Sequence, residues 1–143
     1  MKKLFIIRYL SCFAFGLCLL IGSSSFVGQK NVSSECVNTI WFDLEGNIGP
    51  YKVFMHVDYD AEVGEKCGYY YYKDNPNNQF SLVMAQRESA LAGCKMTIKE
   101  YTSKGVHSGT FKGYFSTRGI NFSGTFTNTR SKKQFKFELL EAL

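Results

Sequence analysis

Histidine is almost missing from this 143-residue chain, where only His56 and His107 occur. A metal centre built from several imidazoles is therefore excluded, and with it the His-Glu-x-x-His zinc motif. The chain also lacks a Gly-x-Ser-x-Gly nucleophile turn and a glycine loop spaced to cradle phosphate. Proline occurs twice, too rarely for a disordered chain. No stretch sustains a 3.6-residue apolar period, so the sequence offers nothing to a helical fold. Net charge is modest as well. Without Lys2, Lys3 and Arg8, the formal +5 falls to +2, too little to imply a nucleic-acid partner.

Those three cations belong to an N-terminus that reads as an export signal. A basic start is followed by a mostly apolar stretch from Leu4 to Ile21, then by the small residues Gly22 to Ser25. Residues 1–25 are expected to be a signal peptide, and residues 26–36 a flexible leader. The apolar stretch after Arg8 is shorter than the roughly 20 residues of a span, so no stable membrane span is expected after cleavage. A secreted or periplasmic, bacterial location follows as the expectation.

What the chain has in abundance is aromatic residues, 16% of the total, a composition that favours sheet. From Val37 onward, runs of about eight residues alternate with turn signals, and residues 37–143 read as one β-domain. The expected strands are 37–45, 51–59, 66–73, 80–87, 94–101, 108–115, 120–127 and 134–140. The predicted class is all-β, an antiparallel up-and-down meander of about eight strands closed or partly closed into a barrel. The expected inward residues are Ile40, Phe42, Leu44, Val53, Met55, Val57, Leu82, Met84, Met96, Ile98, Phe111, Phe122, Phe126, Phe135 and Phe137. Their bulk favours a filled interior over a cavity. Ser108-Gly109-Thr110-Phe111 recurs as Ser123-Gly124-Thr125-Phe126, a hairpin echo in which glycine gives room and phenylalanine packs.

Tyr69, Tyr70, Tyr71 and Tyr72 form an unbroken run. On a strand, two rings point inward and two outward. With a first hairpin closed through Gly46 to Gly49, Trp41 falls near Phe54 on the outer face, and Tyr69 and Tyr71 extend the stripe. Exposed aromatic area of this kind is typical of binding surfaces.

Cys36, Cys67 and Cys94 survive removal of the signal and sit at the starts of odd-numbered strands, near one rim. An oxidising compartment permits a disulfide. Cys67–Cys94 is the expected pair, with Cys36 as an alternative partner.

The search for catalytic chemistry yields little. Asp58, Asp60 and Glu62 imitate the start of a calcium loop, but Val63 stands where glycine is needed and Tyr69 where glutamate is needed. No metal or cofactor is expected. His56 and Asp58 share a strand face and would supply a general base for a hydrolase, yet no nucleophile can be named.

Several segments taken together resemble a group of small secreted bacterial proteins of unknown role. These are Gly-Pro-Tyr-x-Val-x-Met (Gly49 to Met55), Cys-Gly-Tyr-Tyr-Tyr-Tyr, Ile-x-Glu-Tyr (Ile98 to Tyr101), the two Ser-Gly-Thr-Phe units and the final Phe-x-Phe-Glu-Leu. The likeness covers most of residues 40–140 and implies no activity. More loosely, the meander is similar to lipocalin- and avidin-like barrels, which implies a fold but no ligand residues. The function expected is an exported, non-catalytic domain that binds a protein at the cell envelope, in the manner of an inhibitor or immunity protein. The alternatives are a lipocalin-like carrier of a small apolar ligand and the His56–Asp58 hydrolase.

Overall fold

The structure is a computed structural model that describes residues 39–143. The expected signal peptide, the leader and Cys36 lie outside the described residues. Eight strands follow one another: β1 (Trp41–Ile48), β2 (Tyr51–Asp58), β3 (Lys66–Tyr72), β4 (Gln79–Ala90), β5 (Gly93–Tyr101), β6 (His107–Ser116), β7 (Asn121–Asn128) and β8 (Gln134–Glu141). Each pairs antiparallel with the next, and β1 pairs with β8, so the sheet is a closed up-and-down barrel. Closure leaves no unpaired edge.

β1 starts at Trp41 where a start at Val37 is expected, and two strand ends run further than their turn-like residues suggest. The first hairpin turns at Gly49–Pro50, with Ile48 opposite Tyr51, so Gly46 and Asn47 belong to β1. Trp41 consequently faces Asp58, and Phe54 faces Glu45. The register differs from the expected one by four residues. An even displacement leaves every side chain on its expected face. Likewise Glu88 to Ala90 extend β4 rather than turning it, and the hairpin closes through Leu91 and Ala92, the latter at φ 62°.

Gly46 remains in a strand because nothing larger fits there. A Cβ at this position would lie 2.0 Å from the backbone oxygen of Glu138, on the seam between β1 and β8.

The interior is filled with side chains. Tyr70 meets Phe111 at 5.4 Å between ring centroids, Phe111 meets Phe137 at 5.3 Å, and Phe137 meets Phe122 at 4.8 Å. Phe122 continues to Phe115 at 6.0 Å, and Phe115 to Phe42 and Tyr59. A column of rings thus runs along the barrel, with Leu44, Met55, Met84, Met96 and Ile98 buried around it. The two Ser-Gly-Thr-Phe units meet directly: Phe111 lies opposite Phe126, with centroids 4.7 Å apart. Of the expected inward residues only Ile40 fails. It is 46% exposed, because β1 begins one residue after it.

Cys67 and Cys94 are buried free thiols, so the expected Cys67–Cys94 disulfide is not formed. β4 lies between their strands. Cys67 sits at the bulge opposite Leu82 and Val83, whereas Cys94 pairs with Ser89. Six residues of extended chain, about 20 Å, separate those positions, well beyond the ~7 Å Cα limit for a bridge. Burial pushes the Cys67 thiol up to about 12.

Two outcomes follow. Gly46→Ala is expected to cost about 2–4 kcal/mol in urea unfolding, because the seam must open to admit the methyl group. At about pH 8, an alkylating reagent should modify positions 67 and 94 only after unfolding. Peptide mapping that finds either one modified at the same rate in the native protein would contradict the burial described.

Candidate functional site

Strand alternation places Trp41, Asp43 and Glu45 of β1, Phe54 and His56 of β2, and Tyr69 and Tyr71 of β3 on the outer face. Trp41 and Phe54 are not adjacent as expected. The observed register puts His56 beside Trp41, and the indole stacks flat on the imidazole with centroids 4.5 Å apart and planes 8° apart. Tyr69 flanks the same imidazole at 5.2 Å. One rung along, Phe54 stacks on Tyr71 at 5.2 Å. The four expected residues are therefore drawn into one outer row, with His56 as the member that sequence reasoning had assigned elsewhere. Trp41 is 45% exposed, while Phe54, Tyr69 and Tyr71 are half-buried against one another.

Polar contacts orient the row. Asp43 Oδ1 lies 2.5 Å from His56 Nδ1, across the β1–β2 pair. Lys73 Nζ donates to Glu45 at 2.5 Å. Both pairs are partly exposed, so each adds orientation more than stability.

The expected His56–Asp58 couple is not formed. Asp58 accepts the backbone N–H of Asp60 at 2.9 Å, and His56 takes Asp43 instead. Asp60 in turn accepts from Arg87 at 2.8 Å. The acidic turn is thus consumed in its own geometry. Among the described residues, no hydroxyl or thiol is hydrogen-bonded to His56, and no cluster of His, Cys, Asp and Glu could hold a metal.

The interior holds one group that sequence reasoning missed. Glu100 is 3% exposed and is the last inward residue of β5, in phase with Cys94, Met96 and Ile98. That phase was the available signal: an acid continuing an apolar alternation. Its carboxylate accepts hydrogen bonds from Tyr70 and Ser108. Gly109, beside Ser108, has no Cβ, and one would strike the Phe126 ring at 2.4 Å and crowd Glu100. Burial raises the Glu100 pKa above the ordinary carboxylate value. The bonds from Ser108 and Tyr70, and the nearby His107, pull the other way without cancelling it. Burial and then the Glu100 charge raise the Tyr70 pKa and keep that phenol protonated, which is why it donates.

Above this cluster the barrel opens. The Tyr72 hydroxyl lies 3.5 Å from that of Tyr70. Tyr72, Tyr51, Phe126 and Phe135 line a mouth of about 490 Å³, with Asp74 and Lys133 among its polar residues. Tyr51 stands edge-on to both Tyr72 and Phe135, at 5.7 and 6.2 Å.

Against known proteins, the chain matches no protein-family model, no curated protein and no solved structure. The fold and its surfaces carry the functional reading.

Glu100 makes stability depend on pH. Its folded pKa lies above the unfolded value of about 4.5, so the native state binds the proton more tightly. The associated stability is present below about 4.5 and lost as pH rises through the folded value. Glu100→Gln retains partners for Tyr70 and Ser108 without the buried charge. It should stabilise the protein at neutral pH by on the order of 1 kcal/mol. Urea unfolding at a series of pH values should show that advantage vanish in acid.

Proposed function

We propose that this protein is an exported, non-catalytic binding module that engages a protein partner at the cell envelope through the outer row of β1–β3. The observation that carries this reading is the Trp41–His56 stack: a half-exposed indole held flat on the outside of a rigid barrel. Aromatic side chains braced in this way lose little conformational freedom on binding and are typical energetic anchors. The basic and then apolar pattern of residues 1–25, read as an export signal, and the resemblance to small secreted bacterial proteins support an envelope setting.

The carrier reading is less well supported. A column of rings from Tyr70 to Phe115 occupies the space that an apolar ligand would need, and the mouth near Tyr51 and Tyr72 offers room at one end. The hydrolase reading loses its His56–Asp58 couple, as described above.

Trp41 is the sole tryptophan of the chain, so intrinsic fluorescence reports directly on the proposed surface. Adding the envelope partner should shift or quench that emission. Trp41→Ala combined with Phe54→Ala should weaken capture of the partner by about 30-fold or more, the loss expected of one or two anchors, with the circular dichroism spectrum unchanged. Equal capture of the same proteins by wild type and double variant would defeat the reading.

A further inference from the structure

Charge is distributed unequally over the chain. Residues 26–74 carry a net −4, and residues 75–143 a net +6. The barrel concentrates the positive half on the outer face of β5–β8, away from the aromatic row on β1–β3. Two neighbouring rungs of that face have an ordered composition. The first crosses the sheet as Lys99, Thr110, Thr127 and Gln134. The second crosses as Thr97, Lys112, Thr125 and Lys136. All eight side chains are polar and none is acidic. Lys132 and Thr129, from the β7–β8 turn, close one end over a trough of about 550 Å³.

These lysines have no partners. Among the described residues, the ion pairs involving lysine are Lys73–Glu45 and Lys95–Glu88. Lys99, Lys112, Lys132 and Lys136 take part in none. Two acids border the face: Glu138 stands one rung beyond Lys136 on β8, and Glu88 of β4, paired with Lys95, borders Thr97 and Lys112. Lys112 and Lys136 are two strands apart, about 10 Å, with the Thr125 hydroxyl midway. Two flexible ammonium groups at that spacing can converge on one oxyanion, while the threonines and Gln134 offer hydrogen bonds to uncharged hydroxyls.

We propose that this face binds an anionic polysaccharide. The charge calls for a polyanion, and the composition selects its class. The two rungs carry no aromatic ring, and the one ring in the trough, His107, is tied to Gly109 and Thr110 and packed against Tyr101. The trough therefore lacks the series of free rings on which successive bases of a single strand stack. The rungs also carry no apolar side chain to enter a bilayer surface. Lysine and threonine in alternation match a polymer that alternates charged groups with sugar hydroxyls. The site is independent of the aromatic row and stands whether or not that row binds a protein.

The test is the binding of the purified protein to sulfated dextran, with neutral dextran and single-stranded DNA for comparison. Sulfated dextran should bind, with affinity falling roughly 10- to 100-fold between about 50 and 200 mM salt. Neutral dextran should not bind, and DNA should bind at least about fivefold more weakly. Lys112→Glu with Lys136→Glu should weaken sulfated-dextran binding more than about tenfold. The uncharged pair Lys112→Gln with Lys136→Gln should weaken it about fivefold and guards against misfolding of the first variant. The charge-matched pair Lys52→Glu with Lys66→Glu, on β2 and β3, should change it less than about twofold. The proposal is overturned if sulfated dextran does not bind. It is equally overturned if the β2–β3 pair costs as much as the β6–β8 pair, or if DNA binds as tightly.

Discussion

The seam between β1 and β8 closes the sheet, and it can close only because Gly46 has no side chain to meet the Glu138 carbonyl. Closure creates an inside, and the inside is then occupied by a column of rings from Tyr70 to Phe115. Seam and column support each other. The rings need a complete wall to be buried, and the wall needs a filled centre to hold its curvature. Their contacts are edge-on or tilted, geometries that aromatic quadrupoles favour over a face-to-face sandwich. The remaining properties of the molecule follow from a barrel that is full rather than hollow.

A full barrel moves recognition to the outside and the rim. Glu100, the one buried acid among the described residues, sits where the column ends, and two hydroxyls satisfy it. Burial disfavours its charged form, yet it holds Tyr70 and Ser108 beneath the mouth lined by Tyr51 and Tyr72. The arrangement is a polar floor under an aromatic rim, narrow and shallow beside the two broad outer faces.

Those faces are chemically opposite. β1–β3 present stacked aromatic rings trimmed by Asp43, Glu45 and Lys73. β5–β8 present unpaired lysines among threonines. A rigid wall keeps the two apart, so neither can neutralise the other.

Much of this was legible in the sequence, because strand alternation is a local property. The period of two placed Val53, Met55 and Val57 inside, divided the four tyrosines into two inward and two outward, and marked Trp41 and Phe54 as external. The register of β1 was illegible. Whether Gly46 turns the chain or continues the strand depends on the approach of β8, about 90 residues away. An error of four residues left the faces intact but hid the Trp41–His56 stack. The Cys67–Cys94 pairing failed for the same reason, since strand stagger decides which residues stand level. The sequence by itself determined which side of the wall most strand residues occupy, Ile40 and Glu100 being the exceptions. Only the tertiary structure decided which residues meet across it, because pairing between strands is set by closure of the whole sheet and not by any segment alone.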